Sequence, residues 1–332
     1  MSIAFNPRPR RPRFSPVACS PVLGALGAVD LAPSWFAEED ALEVRIARTA
    51  RHRRAVSALL RWLTYAAAAV TAAVLLFVVG YILVRGVPAL TPDLFQWEYT
   101  SENVSLLPAL ASTVIMALLA LAMAVPVGVG AAIYLVEYAR RGSRFVRLVR
   151  VTAETLQGIP SIIYGLFGML FFVTACGWGL SLLSGACTLA IMVLPVIMRT
   201  TEEALMAVPD SYREGGFGLG AGRLRTVARC VLPSAVPGIL GGVILALGRC
   251  VGEVAALLFT AGTVAQIPDF AGQGIFALFD SCRTLAVHMY TLACEGLHVN
   301  EAYATSVVLL VLVLLLNAAM RLVATKMEVS KK

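Results

Sequence analysis

The sequence is short of charge. Of 332 residues only 14% are Asp, Glu, Lys or Arg, whereas 59% are hydrophobic. Soluble globular chains carry about 25% charged residues, so much of this protein's surface must face lipid rather than water. A water-soluble enzyme or binding domain is excluded as the broad class. The chain has no G-x-x-x-x-G-K-[ST] segment, and so no P-loop with which to use ATP by itself. His52, His288 and His298 form no H-E-x-x-H pattern, and no Asp pair lies within an apolar run, which argues against an intramembrane hydrolase. The seven cysteines include no C-x-x-C pair and no His partner at metal-ligand spacing. Neither a catalytic residue, a metal site nor a cofactor is therefore expected. Most of these cysteines lie in or beside apolar runs and read as small hydrophobes. Cys282 and Cys294 share one segment expected outside the cytoplasm, where a disulfide or two unpaired thiols would both fit.

What is present is long hydrophobic runs. Six apolar segments occupy roughly 62–84, 107–136, 155–176, 180–198, 236–259 and 303–323, each about the length that crosses a bilayer as a helix. The net charge of +7 does not signal nucleic acid, because the basic residues sit between these runs rather than on one folded face. Of the 27 basic residues, only Arg85, Arg283 and the intraspan Arg249 lie away from the connections on one side. The opposite side carries seven acids: Asp93, Glu98, Glu102, Asp269, Asp280, Glu295 and Glu301. By the positive-inside rule this asymmetry predicts six spans with both termini in the cytoplasm. Residues 1–60 form a separate amino-terminal arm, in which Arg8, Arg10, Arg11 and Arg13 alternate with proline, a composition suited to partial disorder. From Glu38 to Arg61 the arm reads as a charged helix leading into the first span, either on the membrane surface or solvated. The six-span membrane domain then covers 61–325, and 326–332 forms a cytoplasmic tail.

The connection over 200–233 is the most informative stretch. Pro209 can break a helix leaving the membrane, and Ser211 and Glu214 have the S-x-x-E spacing of a capping box. Gly218, Gly220 and Gly222 can end the new helix and supply a turn. A second short helix is expected from Arg223 to Val231, before Leu232-Pro233 leads back into the bilayer.

The spacing within this loop resembles the signature of ATP-binding-cassette importer permeases: Glu-Ala-Ala, three residues, Gly, nine residues, an aliphatic residue, one more, then Leu-Pro. Glu214, Gly215 and Gly216 take the first three places, Gly220 the glycine, Cys230 the aliphatic place and Leu232-Pro233 the end. Two alanines have become glycine, each costing up to about 1 kcal/mol of helix propensity, so a less rigid coupling helix is expected. The segments Glu154–Gly168, Arg199–Leu205, Leu232–Leu240, Gly248–Glu253 and Thr284–Tyr290 are similar to those of phosphate importer permeases, the PstA type in particular. The resemblance covers about 60–325. It implies an all-α integral membrane protein with the type I ABC importer permease fold: six transmembrane helices and a cytoplasmic coupling-helix loop. It further implies a multi-pass place in a bacterial inner membrane. The implied partners are a second homologous permease, two copies of a cytoplasmic ATP-binding subunit that hydrolyses the ATP, an extracytoplasmic phosphate-binding protein and membrane lipid, with no nucleic acid. Ser211, Arg213, Glu214, Gly215, Gly216 and Gly220 would form the ATPase-docking surface.

Two charged pairs fall in or beside the spans. Arg249 and Glu253 are four residues apart, on one face of a continuous helix. Ionised residues inside a bilayer usually face a pathway or a partner. Arg249 would attract an anion and Glu253 tune its site, or the two would form a salt bridge that only orders the bundle. Arg199 and Glu202, three residues apart at the end of the fourth span, would gate the pathway's exit or simply flank the membrane. Ser161, Thr200 and Thr201 are weaker candidates as hydroxyl donors. The expected function is an ATP-driven phosphate import permease. The alternatives are a permease for another oxyanion or small solute, and more distantly an ion-driven secondary carrier, for which no internal repeat is visible.

Overall fold

In the computed structural model the described residues are 34–140, 142–270 and 272–329. The Arg- and Pro-rich arm through residue 33 and the terminal Lys331 and Lys332 lie outside them. The chain divides into two compact units, Met1–Ala73 and Val74–Lys332. Helix α1 (Ser34–Gly86) contains all the described residues of the first unit and continues into the second. The charged lead-in and the first apolar segment are thus one helix. Leu59, Leu60, Trp62, Leu63, Tyr65 and Val70 along it are exposed, as a lipid-facing span requires.

The second unit continues with α2 (Leu107–Ile133), extended by a π-helical stretch over Tyr134–Tyr138. Next come α3 (Arg144–Gln157), α4 (Ser161–Gly168) with a π-helical continuation over Met169–Ala175, and α5 (Leu182–Met206). Then follow α6 (Asp210–Gly218), α7 (Arg223–Thr226), a π-helical stretch over Val227–Val231, and α8 (Leu232–Val251). The chain closes with α9 (Ala255–Thr260), α10 (Leu285–Glu295) and α11 (Val299–Val329). No strand occurs among the described residues. Five helices are long and apolar enough to span a membrane, or six when α3 and the helix beginning at Ser161 are counted as one bent span. The expected all-α architecture is observed, with the six-span count met when the bent pair serves as the third span.

Helix α5 is the axis of this unit. Its Leu182, Leu189, Met192, Val193 and Ile197 are almost wholly buried. They share one core with Met116, Ala120 and Ala124 of α2 and with Ala246, Leu247 and Cys250 of α8. Lipid is as apolar as leucine, so helices in a membrane associate through close packing rather than hydrophobic transfer. The small residues on α2 and α8 provide that closeness.

Two expected spans are interrupted. The third apolar segment, expected over 155–176, breaks at Gly158–Pro160, and the helices on either side are bent by 102°. Pro160 takes an extended conformation (φ −56°, ψ 138°) and disfavours helix in the residue before it. The fifth, expected over 236–259, instead starts at Arg223 and runs as one 29-residue helix to Val251. It stops there because Gly252 turns the chain out of helix (φ −88°, ψ 0°). The short α9 that follows is pressed against α4. A Cβ on Gly165 would lie 2.8 Å from the Ala256 Cα and 3.1 Å from the Ala255 carbonyl oxygen.

The start of α5 is tied to the 260–282 connection by backbone hydrogen bonds from Ser181 to the Thr260 carbonyl (3.0 Å) and from Leu182 to the Asp280 carbonyl (3.0 Å). Cys282 is buried there and Cys294 is exposed; both are free thiols, so the disulfide alternative is not realised. Burial pushes the Cys282 thiol up to about 12. Arg283 donates to the Thr263 carbonyl (2.7 Å), stands over the Tyr99 ring (5.4 Å) and contacts Nδ1 of the buried His288 at 3.1 Å. Arginine can only donate, so this Nδ1 is the acceptor and the imidazole is neutral. Burial, and then the Arg283 charge, pull its pKa from 6.5 down to about 4.

Two expectations follow from this packing. Gly165→Ala meets unyielding backbone and should destabilise the protein by about 1–3 kcal/mol, whereas Gly130→Ala, with nothing within 4 Å, should be neutral or slightly stabilising. Thermal unfolding in detergent measures both. For His288, the unfolded chain takes up a proton near pH 6.5 while the folded chain resists until about pH 4. The unfolded state therefore binds more protons in that window, and stability falls as pH drops through it. The loss, up to about 3 kcal/mol, should disappear in His288→Gln when unfolding is followed against pH.

Candidate functional site

The 200–233 connection folds into a knob on the end of α5. Pro209, extended (φ −55°, ψ 141°), caps α6, and Asp210 occupies its first turn, where a negative charge complements the helix dipole. Ser211 therefore sits inside the helix, not at its cap, and no side-chain cap bond forms. The Ser211–Glu214 capping box is overridden because Pro209 takes the cap position two residues earlier. Gly218 ends α6, and Gly220 adopts φ +78°, the left-handed turn that glycine takes without strain. The expected second short helix is not separate: α7, the π-helical stretch and α8 form one continuous rod.

Arg213 organises the knob. Its Nε and Nη2 donate to one Glu137 oxygen at 3.1 and 2.7 Å. Nη1 donates to the Val208 carbonyl (2.9 Å) and to Asp210 (3.2 Å), and Nη2 also to the Leu205 carbonyl (3.0 Å). Leu205 and Val208 flank the end of α5, where helix carbonyls lack intrahelical partners. One guanidinium thus caps α5, pins α6 and grips the π-helical end of α2. The Arg213 and Glu137 side chains are only 16% and 7% exposed. Arg213, expected on the docking surface, points into the protein. Ser211, Glu214, Gly215 and Gly220 are exposed, beside the exposed apolar side chains of Tyr212, Phe217 and Leu219. Gly216 is buried for a packing reason, since a Cβ there would lie 2.7 Å from Thr226 Cγ2. Of the two glycines at the signature's alanine places, Gly215, with nothing within 4 Å, is the one that lowers helix propensity with no packing reason.

The second charged pair is partnered differently from its spacing. Arg199 and Glu202 do not meet. Arg199 pairs with Glu203 (2.9 Å) and with Glu154 of α3, whereas the buried Glu202 pairs with Arg150 of α3. Gln157 Nε2 adds a bond to the Pro195 carbonyl (3.0 Å). These contacts fasten α3 across the end of α5. A gate built from Arg199 and Glu202 themselves is not what the geometry contains. Glu137, Arg150 and Glu154 were missed by sequence reasoning. Glu137 did leave a signal: it is the one acid between Asn103 and Glu154, at the end of an apolar run and opposite a basic loop.

Arg249 and Glu253 also differ from expectation. The helix ends between them at Val251, so they do not share a helix face and form no ion pair among the described residues. Arg249 occupies the last turn of α8, and Glu253, buried, accepts from the Ala256 N–H (3.2 Å) at the start of α9. Each charge complements the helix end it adjoins. Broken helices at membrane depth are tolerated where they are buried in protein or line a cavity. The Arg249 guanidinium, half-buried, makes no side-chain hydrogen bond among the described residues. Thr200 spends its hydroxyl on the Val196 carbonyl (2.9 Å). Thr201 is buried, and Ser161 opens α4.

Residues 124–329 match the family model described as binding-protein-dependent transport system inner membrane component. The chain is 35% identical over 272 residues to the probable ABC transporter permease protein YqgI of Bacillus subtilis, covering 78% of this chain and 91% of that protein. It is 33% identical over 267 residues to the phosphate transport system permease protein PstA of Mycobacterium leprae, covering 76% and 84%. A bacterial ABC transporter involved in alginate import has a chain of the same fold, with a TM-score of 0.55 at 18% identity over 78% of this chain and 95% of that one. The chain, a multi-pass transport subunit, belongs to the family of binding-protein-dependent transport system inner membrane components.

Proposed function

We propose that this chain is the permease subunit of an ATP-driven inorganic phosphate importer, forming half of the transmembrane pathway. The observation that carries the proposal is the continuous helix Arg223–Val251. It leaves the docking knob at one end and stops beside Arg249 at the other. At 1.5 Å per residue it is about 43 Å long, more than the roughly 30 Å hydrocarbon core. Movement of a docked α6, which packs through Gly216 on Thr226 of this rod, would therefore reach the broken span along a single helix.

The family and the exposed knob support the following partners. A cytoplasmic ATPase, which binds and hydrolyses the ATP, docks on the exposed face of α6 through Ser211, Glu214 and Gly215, with Tyr212 and Phe217 supplying apolar contact. An extracytoplasmic binding protein delivers the solute, and a second homologous permease completes the pathway with two ATPase copies below. Both termini lie in the cytoplasm, in keeping with the charge asymmetry. The several relatives named as phosphate permeases support phosphate as the solute. Arg249 attracts the anion at the break in the fifth span. Glu253 holds the break open by capping α9, and Arg199 and Glu202 brace α3 near the exit.

Phosphate uptake by the reconstituted complex tests the pathway. Arg249→Ala should lower uptake about tenfold or more, the loss of one charge-assisted hydrogen bond, with Arg249→Lys recovering part of it. Near-normal uptake in the alanine variant would remove Arg249 from the route, and uptake without the ATPase would favour a secondary carrier. Docking is tested by contrast. Glu214→Ala should leave thermal stability within about 0.5 kcal/mol yet lower transport-coupled ATP hydrolysis. Arg213→Ala should cost about 3 kcal/mol of stability, because it strands a buried Glu137. Unchanged coupling in Glu214→Ala would sink the docking assignment.

A further inference from the structure

Helix α3 has a side that its own bundle leaves uncovered. One side packs Val146 and Ala153 into a core with Leu135, Met198 and Leu205. The opposite side carries Phe145, Leu148 and Val151, spaced three apart and 58%, 63% and 54% exposed. Arg144 and Arg147 project from the same helix and Arg140 from the turn before it, all exposed. None of the three makes an ion pair among the described residues. A cleft of about 290 Å³ opens beside them, with Arg140 and Arg150 in its wall together with Leu135, Val136 and Met206. No acid occurs from Tyr138 to Ala153.

The bend supplies the orientation. The helix starting at Ser161 turns by 102° from α3, so if that helix crosses the bilayer, α3 lies close to the membrane plane. An amphipathic helix in this position buries its apolar side chains at the boundary between headgroups and acyl chains. Its arginines reach outward along their apolar stems to the phosphate level. A protein partner covering the same side would have to supply matching acids for three guanidiniums or leave charge buried and unpaired. Anionic headgroups supply phosphate oxygens at that depth without such a cost.

We propose that α3 is a binding surface for anionic phospholipid, with Arg140, Arg144 and Arg147 holding the headgroup and Phe145, Leu148 and Val151 seated among the acyl chains. The same helix is fastened to the end of α5 through Arg150–Glu202 and Glu154–Arg199. Lipid that holds α3 against the membrane therefore also steadies the base of the docking knob.

The test uses the assembled transporter in bilayers, with a Phe145→Trp reporter and brominated phosphatidylglycerol or brominated phosphatidylcholine as quencher. Fluorescence of the same complex without the reporter is subtracted. At equal mole fraction the anionic lipid should quench with at least about fivefold preference, the factor expected from one arginine near an anionic surface. Arg140→Gln, Arg144→Gln and Arg147→Gln combined should bring that preference close to unity. The corresponding triple Lys variant should keep it, which separates charge from misfolding. Millimolar inorganic phosphate should leave the preference unchanged. Equal quenching by the two lipids would overturn the proposal, as would competition by phosphate, which would mark a soluble-anion site. Absence of quenching by either lipid would overturn it too, by showing that another subunit covers the helix.

Discussion

The Arg213–Glu137 contact is the constraint on which the rest of the knob depends. A loop carrying Gly215, Gly216, Gly218, Gly220 and Gly222 would by propensity be a loose connection. It is fixed because one guanidinium spends its donors on a carboxylate at the end of α2, two carbonyls at the end of α5 and the first acid of α6. Burying an ion pair is expensive unless its remaining hydrogen-bonding capacity is satisfied. Here the Leu205 carbonyl in the last turn of α5 and the Val208 carbonyl just beyond it help provide that satisfaction. The cost of ending one helix and the cost of burying one charge cancel at a single side chain.

Inside the membrane the same economy recurs with helix ends. Gly252 stops α8, and a charge of the right sign stands at each helix end: Arg249 in the last turn of α8, and Glu253, which accepts the Ala256 N–H, ahead of α9. The break is sealed sideways by Gly165 against Ala256. The earlier break at Gly158–Pro160 is handled differently. Its polar helix leaves the bundle axis altogether and is tied to α5 by two ion pairs and by Gln157. One discontinuity is enclosed among helices, and the other separates a helix of different character.

Much of this was legible in the residues, and the remainder was hidden for identifiable reasons. Apolar runs and the one-sided distribution of arginine sufficed for the number of spans, because lipid demands both length and low charge. The 214–233 spacing sufficed for the knob and its glycine turn. Breaks within the expected spans were not legible from composition, since Gly252 lies within a mostly apolar run and Pro160 within the first residues of one. Pairing rules for neighbours on one helix misassigned Arg199 with Glu202 and Arg249 with Glu253. Arg199 does pair within its helix, with Glu203, but its other partner Glu154 and the Glu202 partner Arg150 lie tens of residues away and meet only once α3 and α5 have packed. Ser211 was misplaced because a favourable capping spacing yielded to the stiffer demand of Pro209. The inward turn of Arg213 was hidden because its chief partner, Glu137, belongs to another span.

The rod between the knob and Arg249 is not uniform. Over Val227–Val231 it winds as a π turn, closed by the Leu232 N–H on the Val227 carbonyl, just before Pro233, whose ring nitrogen carries no hydrogen to continue an α-helical ladder. Such a wider turn is a local departure from the regular helix and is often found at functional sites. Its consequence is one of register: the wider turn offsets the side chains beyond it from the faces that an uninterrupted α-helix would give them, so the stretch facing Gly216 and the stretch ending at Arg249 are set on the rod independently of a single helical repeat.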